Sequence, residues 1–200
     1  MASTPRELVN QTLNFEGPTR APRQLWLLPW AVERYPEELA AIRRDYPDDI
    51  VGVDGHNRAV PRTSGSQYSV GDYTDEWGAT FHSIQPGVIG EVKDPLIKDW
   101  ATDVAKVHIP REWLTVDRDA VNRDCAATDC FTIAGACPRP FEQLQFLRGP
   151  ENVYLDLSDP PHEMLTFMEE MHRFYCELLQ VWAATDVDAL QCMDDWGAQH

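Results

Sequence analysis

The chain has 200 residues, of which 43% are hydrophobic and 25% charged, and it carries a net charge of −16 with a pI near 4.6. That composition suits a globular chain with a buried core, and the acidic balance argues against nucleic acid and anionic membrane surfaces as partners. Five cysteines, no signal-peptide pattern and no apolar run of membrane-spanning length make it a cytoplasmic chain with reduced thiols, without a disulfide framework.

"TPRELVNQTLNF" opens with a helix start: Thr4 can cap, Pro5 fits the first helical position and Glu7 completes a capping box. Leu8, Thr12, Leu13 and Phe15 give it a modest apolar face, and "GPTRAPR" breaks it. "QLWLLPW" is a short apolar run between turn residues, which predicts a buried strand near 24–30. "YPEELAAIRRDYP" predicts a helix, with acidic residues in its first turn and Arg43 and Arg44 in its last, as the helix dipole favours. "DIVGVDG" predicts a second buried strand near 49–54.

Residues 56–110 interrupt this rhythm. "HNRAVPRTSGSQ" reads as a loop. "YTDEWGATF" and "GVIGEVKDP" read as two extended segments joined by "HSIQP", a hairpin insertion spanning about 68–95, with Asp75 and Glu76 in solvent. "WLTVDRDAVNRDCAAT" contains a helix, "DCFTIAGAC" a third buried strand near 130–136, and "PRPFEQLQFLRG" a helix ending at Gly149. "DPPHEMLTFMEEMHRFYCELLQVWAAT" has the clearest helical stripe, with Asp159 as cap and Pro160 as first residue. "DVDALQCMDD" is the fourth strand, near 187–194. Strands alternating with helices predict a parallel sheet. Four strands are half of a (β/α)8 barrel, whose full length is about 250 residues. No glycine-rich dinucleotide fingerprint follows any strand, which weakens an open doubly wound sheet.

In this order, "RAPRQLWLLPWAVERYPEE", "YTDEWGATF" with "GVIGEVKDPLIKDW", "FTIAGACPRPFEQLQFLRG" and "VDALQCMDDWG" resemble the uroporphyrinogen decarboxylase superfamily, which includes the corrinoid-dependent methyltransferases. The resemblance covers nearly the whole chain. It implies an α/β fold, the N-terminal half of a (β/α)8 TIM barrel with an inserted β-hairpin, so residues 1–200 are expected to form a partial barrel domain without its second half. True decarboxylases carry an Arg-Gln-Ala-Gly-Arg stretch after the first strand, whose arginines hold the substrate's carboxylates. Here that place reads "LLPWAVERY", with Arg34 a little later, and the family's tyrosine after the third strand is replaced by Gln145 or Phe146. The methyltransferase branch fits better. Its zinc ligands, a His-x-Cys pair and a later cysteine, belong to the second half of the barrel. The resemblance therefore implies no metal and no cofactor within this chain, with zinc and a corrinoid partner belonging to the full-length protein.

Residues that follow strand ends are the candidate site. Asp54, Asp194 and Asp195 are the candidate catalytic carboxylates, Asp54 by its match to the decarboxylase aspartate. Trp30, Cys137, Arg139 and Trp196 are candidate substrate-binding residues. A capping role competes for Asp194 and Asp195, packing for Trp30 and Trp196, and a surface role for Arg139. Cys125, Cys130 and Cys137 lack the spacing of a zinc knuckle and read as structural, and Cys192 as core. The expected function is methyl transfer between a corrinoid protein and a small-molecule substrate. Decarboxylation of a porphyrinogen in porphyrin biosynthesis and an inactive half-barrel serving as an interaction module are the alternatives. Unpaired edges at "QLWLLPW" and "DALQCMD" predict self-association.

Overall fold

Local signals place most of the helices. In the computed structural model, which describes residues 3–194, helix α1 spans Pro5–Leu13. Its capping box is complete: Glu7 N donates to Thr4 Oγ1 at 3.2 Å, and Thr4 N donates to Glu7 Oε2 at 2.8 Å. The buried face is Leu8 and Val9, whereas Leu13 and Phe15 stand in solvent. Helix α2 spans Pro29–Arg34 and α3 spans Pro36–Asp45, each with proline in its first turn and arginine in its last.

The protein is mixed α/β, and its described residues divide into two compact units. The first comprises the described part of Met1–His56 together with Val116–Cys137 and Val181–Gln191. It contains strand β1, Ile50–Val53. The second comprises Asn57–Thr115, Pro138–Gln180 and the described part of Cys192–His200. It contains β2 (Gly71–Thr74), β3 (Thr80–Ser83) and β4 (Glu91–Val92). Helix α4 (Trp100–Asp103) follows in the second unit, and α5 (Arg118–Ala126) and β5 (Phe131–Ala134) lie in the first. Helices α6 (Pro140–Arg148) and α7 (Pro150–Ser158) belong to the second unit, and α8 (His162–Ala183) runs from it into the first. No helix among the described residues is long and apolar enough to cross a membrane.

In the first unit β1 and β5 pair in parallel, with Ile50 opposite Phe131 and Val53 opposite Ala134. Helices α1 and α5 contact this sheet. Two expected strands are missing, and aspartates explain both. Residues 24–28 belong to no strand and residues 29–30 already lie in α2, so the expected buried strand does not form. Leu25 N donates to Asp48 Oδ1 at 2.7 Å and Arg23 N to Asp49 Oδ2 at 2.8 Å. A carboxylate thus takes one donor within the run and another takes the donor just before it, and the run alternates instead of burying, leaving Trp26 56% and Leu28 45% exposed. Near 187–194 only one parallel bridge forms, Ile133 to Ala189. Asp188 Oδ2 accepts from both Thr132 N and Thr132 Oγ1, at 2.7 and 2.9 Å, which removes a ladder donor from the edge of β5. Cys192 is consequently exposed and belongs to no strand.

Asp49 is the most heavily engaged of these carboxylates. It is 1% exposed, and Arg20 grips it through two bonds of 2.6 and 2.7 Å. The Arg20 guanidinium holds its carboxyl below the usual range, helped by Arg23 N and opposed by burial.

In the second unit β2, β3 and β4 form an antiparallel meander. The insertion at about 68–95 is therefore three-stranded, and "YTDEWGATF" is itself the first hairpin. Asp75 makes the reversal: its Oδ1 accepts from Trp77 N at 3.0 Å and Ala79 N at 2.7 Å. Asp75 is buried and Glu76 half-buried, so neither stands in solvent as expected. Trp77, fully buried, packs edge-on to Phe174 at 5.5 Å and stacks on Tyr175 at 5.9 Å. Helix α6 ends at Gly149, whose φ of +86° suits glycine, and Pro150 then starts α7, which has no counterpart in the sequence reading. Helix α8 begins at His162 and not at Pro160 as expected, because a proline disfavours the helical conformation in the residue before it, and Pro160 precedes Pro161.

Two measurements check this account. Because the folded pKa of Asp49 lies below its unfolded value of about 3.9, its stabilising contribution is present above that pH and is lost as pH falls below it. Asp49→Asn should lower the thermal midpoint at pH 7 and flatten the loss of stability in acid, read by circular dichroism from pH 7 to 3. The exposed Trp26 and Leu28 should make the sedimentation-average mass rise with concentration, and replacing both by serine should reduce that rise.

Candidate functional site

The C-terminal end of β1 gathers the strongest chemistry of the first unit. The apolar residues Ile50, Val51 and Val53 carry the chain along the sheet to Asp54-Gly55-His56. Asp54 Oδ1 accepts from His56 N at 2.6 Å, which folds the chain back at once. His56 has a φ of +46°, a left-handed conformation that costs a residue other than glycine about 1–3 kcal/mol. Gly55 is buried and its carbonyl accepts from Asp117 N at 2.9 Å, so the turn is tied to the start of α5. Asp117 caps that helix through Ala120 N at 3.2 Å.

This geometry brings the His56 imidazole to Asp124 in the last part of α5, with Nε2 2.6 Å from Asp124 Oδ2. The hydrogen bond to Asp124 raises the imidazole pKa above its usual value, the charges of Asp124, Asp54 and Asp117 add to this, and desolvation opposes it. The result is an exposed imidazole, anchored at one nitrogen and biased toward its protonated form. Such a pair can donate or accept a proton near neutral pH. Among the described residues, no three of His, Cys, Asp and Glu gather as a metal-binding group.

The residues expected from sequence divide between the units. Asp54 is where it was expected, just past β1, and it acts there as acceptor for the His56 turn. Cys137 is exposed, three residues past β5. Since β1 and β5 are parallel and in register, both leave the sheet at the same end. Trp30 lies in α2 rather than at a strand end, edge-on to Tyr35 at 5.9 Å, with the Arg34 guanidinium 5.5 Å from its ring centre. In the second unit, Arg139 is at the start of α6 and pairs with Glu142 at 2.7 Å. Asp194 accepts from Phe141 N and Glu142 N, both at 2.8 Å, and so occupies the helix start with a capping geometry. Asp195 and Trp196 lie outside the described residues.

His56 and Asp124 were not among the sequence candidates. The "DGH" step past an apolar run was available as a signal for His56, but nothing local links it to a carboxylate 68 residues away. The second unit adds an apolar cavity of about 210 Å³ between α6 and α8, lined by Phe141, Leu144, Met168, Met171 and Tyr175 among others. Burial pushes the Tyr175 hydroxyl well above its ordinary pKa, so it stays neutral. Comparison with family models, with curated proteins and with solved structures gives no match for this chain.

The His56 pair makes a sharp titration prediction. Its imidazole resonances should titrate above the ordinary midpoint of about 6.5, and Asp124→Asn should bring the midpoint back toward that value. Because the folded pKa is raised, the pair's contribution to stability is present below about 6.5 and is lost as pH rises through the folded midpoint.

Proposed function

We propose that this chain is an enzyme of the uroporphyrinogen decarboxylase-like kind, the N-terminal half of a (β/α)8 barrel with an inserted β-meander, serving methyl transfer between a corrinoid protein and a small molecule. The observation that carries the reading is the His56–Asp124 pair at the C-terminal end of a parallel strand, the end where barrel enzymes keep their chemistry. Strand order supports it as well. β1, β5 and the bridge at Ala189 follow one another in chain order and run parallel, whereas an open doubly wound sheet reverses its order at a switch point.

The corrinoid would supply the carrier of the methyl group, and this chain's part is the proton. When a methyl group leaves a neutral ether, thioether or amine as a cation equivalent, the heteroatom keeps the bond's electron pair and must gain a proton. His56, biased to its protonated form by Asp124, is suited to give it, with Asp124 holding the imidazole in place before and after transfer. Zinc, which the methyltransferase branch implies, has no donor set among the described residues. Porphyrinogen decarboxylation is less well supported, because Asp54, Asp117 and Asp124 surround the imidazole and would repel an octa-anionic substrate.

Fluorescence titration of the purified chain with cobalamin and, separately, with uroporphyrin tests the reading. Saturable quenching by cobalamin, absent with uroporphyrin, is expected. Binding of uroporphyrin in preference to cobalamin, or binding of neither, overturns the methyl-transfer assignment.

A further inference from the structure

Of the 17 basic residues in this acidic chain, only three are lysines: Lys93, Lys98 and Lys106. All three line one cleft of the second unit, with a volume of about 670 Å³, within the range of small-molecule sites. Among the described residues, no arginine lines it. One wall is the outward face of β2 and β3, which presents Asp72 and His82. The other is the segment from Lys93 to Lys98, with Lys106 beside it. Gly90 lets the chain pass close to β3, since a Cβ there would meet the His82 backbone at 2.5 Å.

The lining lysines outnumber the lining aspartates, Asp72 and Asp94, by one, in a chain of net charge −16. Each of the three amines also has a carboxylate beside it, Glu91, Asp94 or Asp103, so what sets the cleft apart is the gathering of every lysine of the chain and not a net positive charge. The lysines also differ in freedom. Lys106 is held by Asp103 at 2.6 Å, and Asp103 is itself fixed by Lys98 N and Asp99 N, each at 2.9 Å. Lys93 pairs with Glu91 and Lys98 with Asp94, both carboxylates largely exposed. Exposed pairs of this kind are weak and yield readily to a better partner. His82 is engaged through Nδ1 with Asp72 at 2.7 Å, which leaves Nε2 as its other hydrogen-bonding atom.

We propose that this cleft is a binding site for a small phosphorylated molecule, with Lys106 as a fixed charge and Lys93 and Lys98 closing onto the phosphate oxygens. Planar carboxylates are matched best by the arginine fork, which is absent from the cleft. Ammonium groups on flexible stems act as point charges suited to a multiply charged phosphate. The proposal is independent of the proton chemistry assigned to His56, which lies in the other unit.

Because every lysine lines the cleft, selective carbon-13 labelling of lysine reports on it alone. In a titration with sodium pyrophosphate at constant ionic strength, all three lysine side-chain resonances should move and saturate with one dissociation constant. Sodium chloride should not reproduce the movement, and tricarballylate should bind at least tenfold more weakly. The double variant Lys93→Gln, Lys98→Gln removes two exposed amines, so its thermal midpoint should stay unchanged while its affinity for pyrophosphate falls at least tenfold. Movement that does not saturate, that chloride reproduces, or that tricarballylate matches in affinity overturns the proposal, as does undiminished affinity in a folded double variant. Should the double variant fail to fold, the anion series on the unaltered chain decides alone.

Discussion

A backbone N–H withdrawn from water needs an acceptor, and in this chain aspartate side chains repeatedly fill that need. Asp49 takes Arg23 N, Asp48 takes Leu25 N, Asp188 takes Thr132 N, and Asp194 takes the first two amides of α6 after Pro140. Asp75 and Asp103 each take two amides. Unpaired buried donors are costly, about 1–3 kcal/mol each, so these carboxylates are structural groups and not merely solubilising charge. They also limit the sheet. Wherever an aspartate supplies the acceptor, no neighbouring strand is required, and the parallel sheet of the first unit stays at two strands and a bridge.

That substitution explains what could be read in the sequence and what could not. Helices α1, α3 and α6 carry their stop and start signals within a turn of their ends, and they lie where the sequence places them. β1 and β5 are short β-branched or apolar runs, and they also form. The runs at 24–30 and 187–194 look the same by composition. What prevents them is the side-chain chemistry of Asp48, Asp49 and Asp188, which competes for the same amides. Hydrophobic periodicity is blind to that competition. The sequence points Asp75 to solvent for the related reason that an aspartate in a turn gives no sign of how deeply the turn is packed; here its carboxylate accepts from Trp77 N and Gln143 Nε2 in the interior.

The candidate site shows the same division between local and distant information. Asp54 follows from its position past a strand, because parallel strands deliver their next residues to one end. Its role, holding the left-handed turn at His56, depends on a backbone conformation that composition does not encode. The partner Asp124 depends on how α5 packs against β1. Negative charge then acts twice. Around His56 it favours the imidazolium, and beside the lysine-lined cleft it supplies the carboxylates Glu91, Asp94 and Asp103 that pair with the three amines.

Aspartates used as backbone acceptors need not respond to acid alike, because hydrogen bonding and burial pull their pKa in opposite directions. Asp49 has a guanidinium partner, so its charged form is favoured in the fold and protonation weakens the first unit only below the ordinary carboxylate range. Asp75 is held by amides and Gln143, and burial outweighs those bonds and raises its pKa. Its charged form is therefore disfavoured in the fold, an adverse contribution that disappears as pH falls through the raised value. In mild acid the strain at Asp75 is relieved before the support at Asp49 is lost. The two units therefore respond differently to the same proton concentration, although both are built on the same use of aspartate.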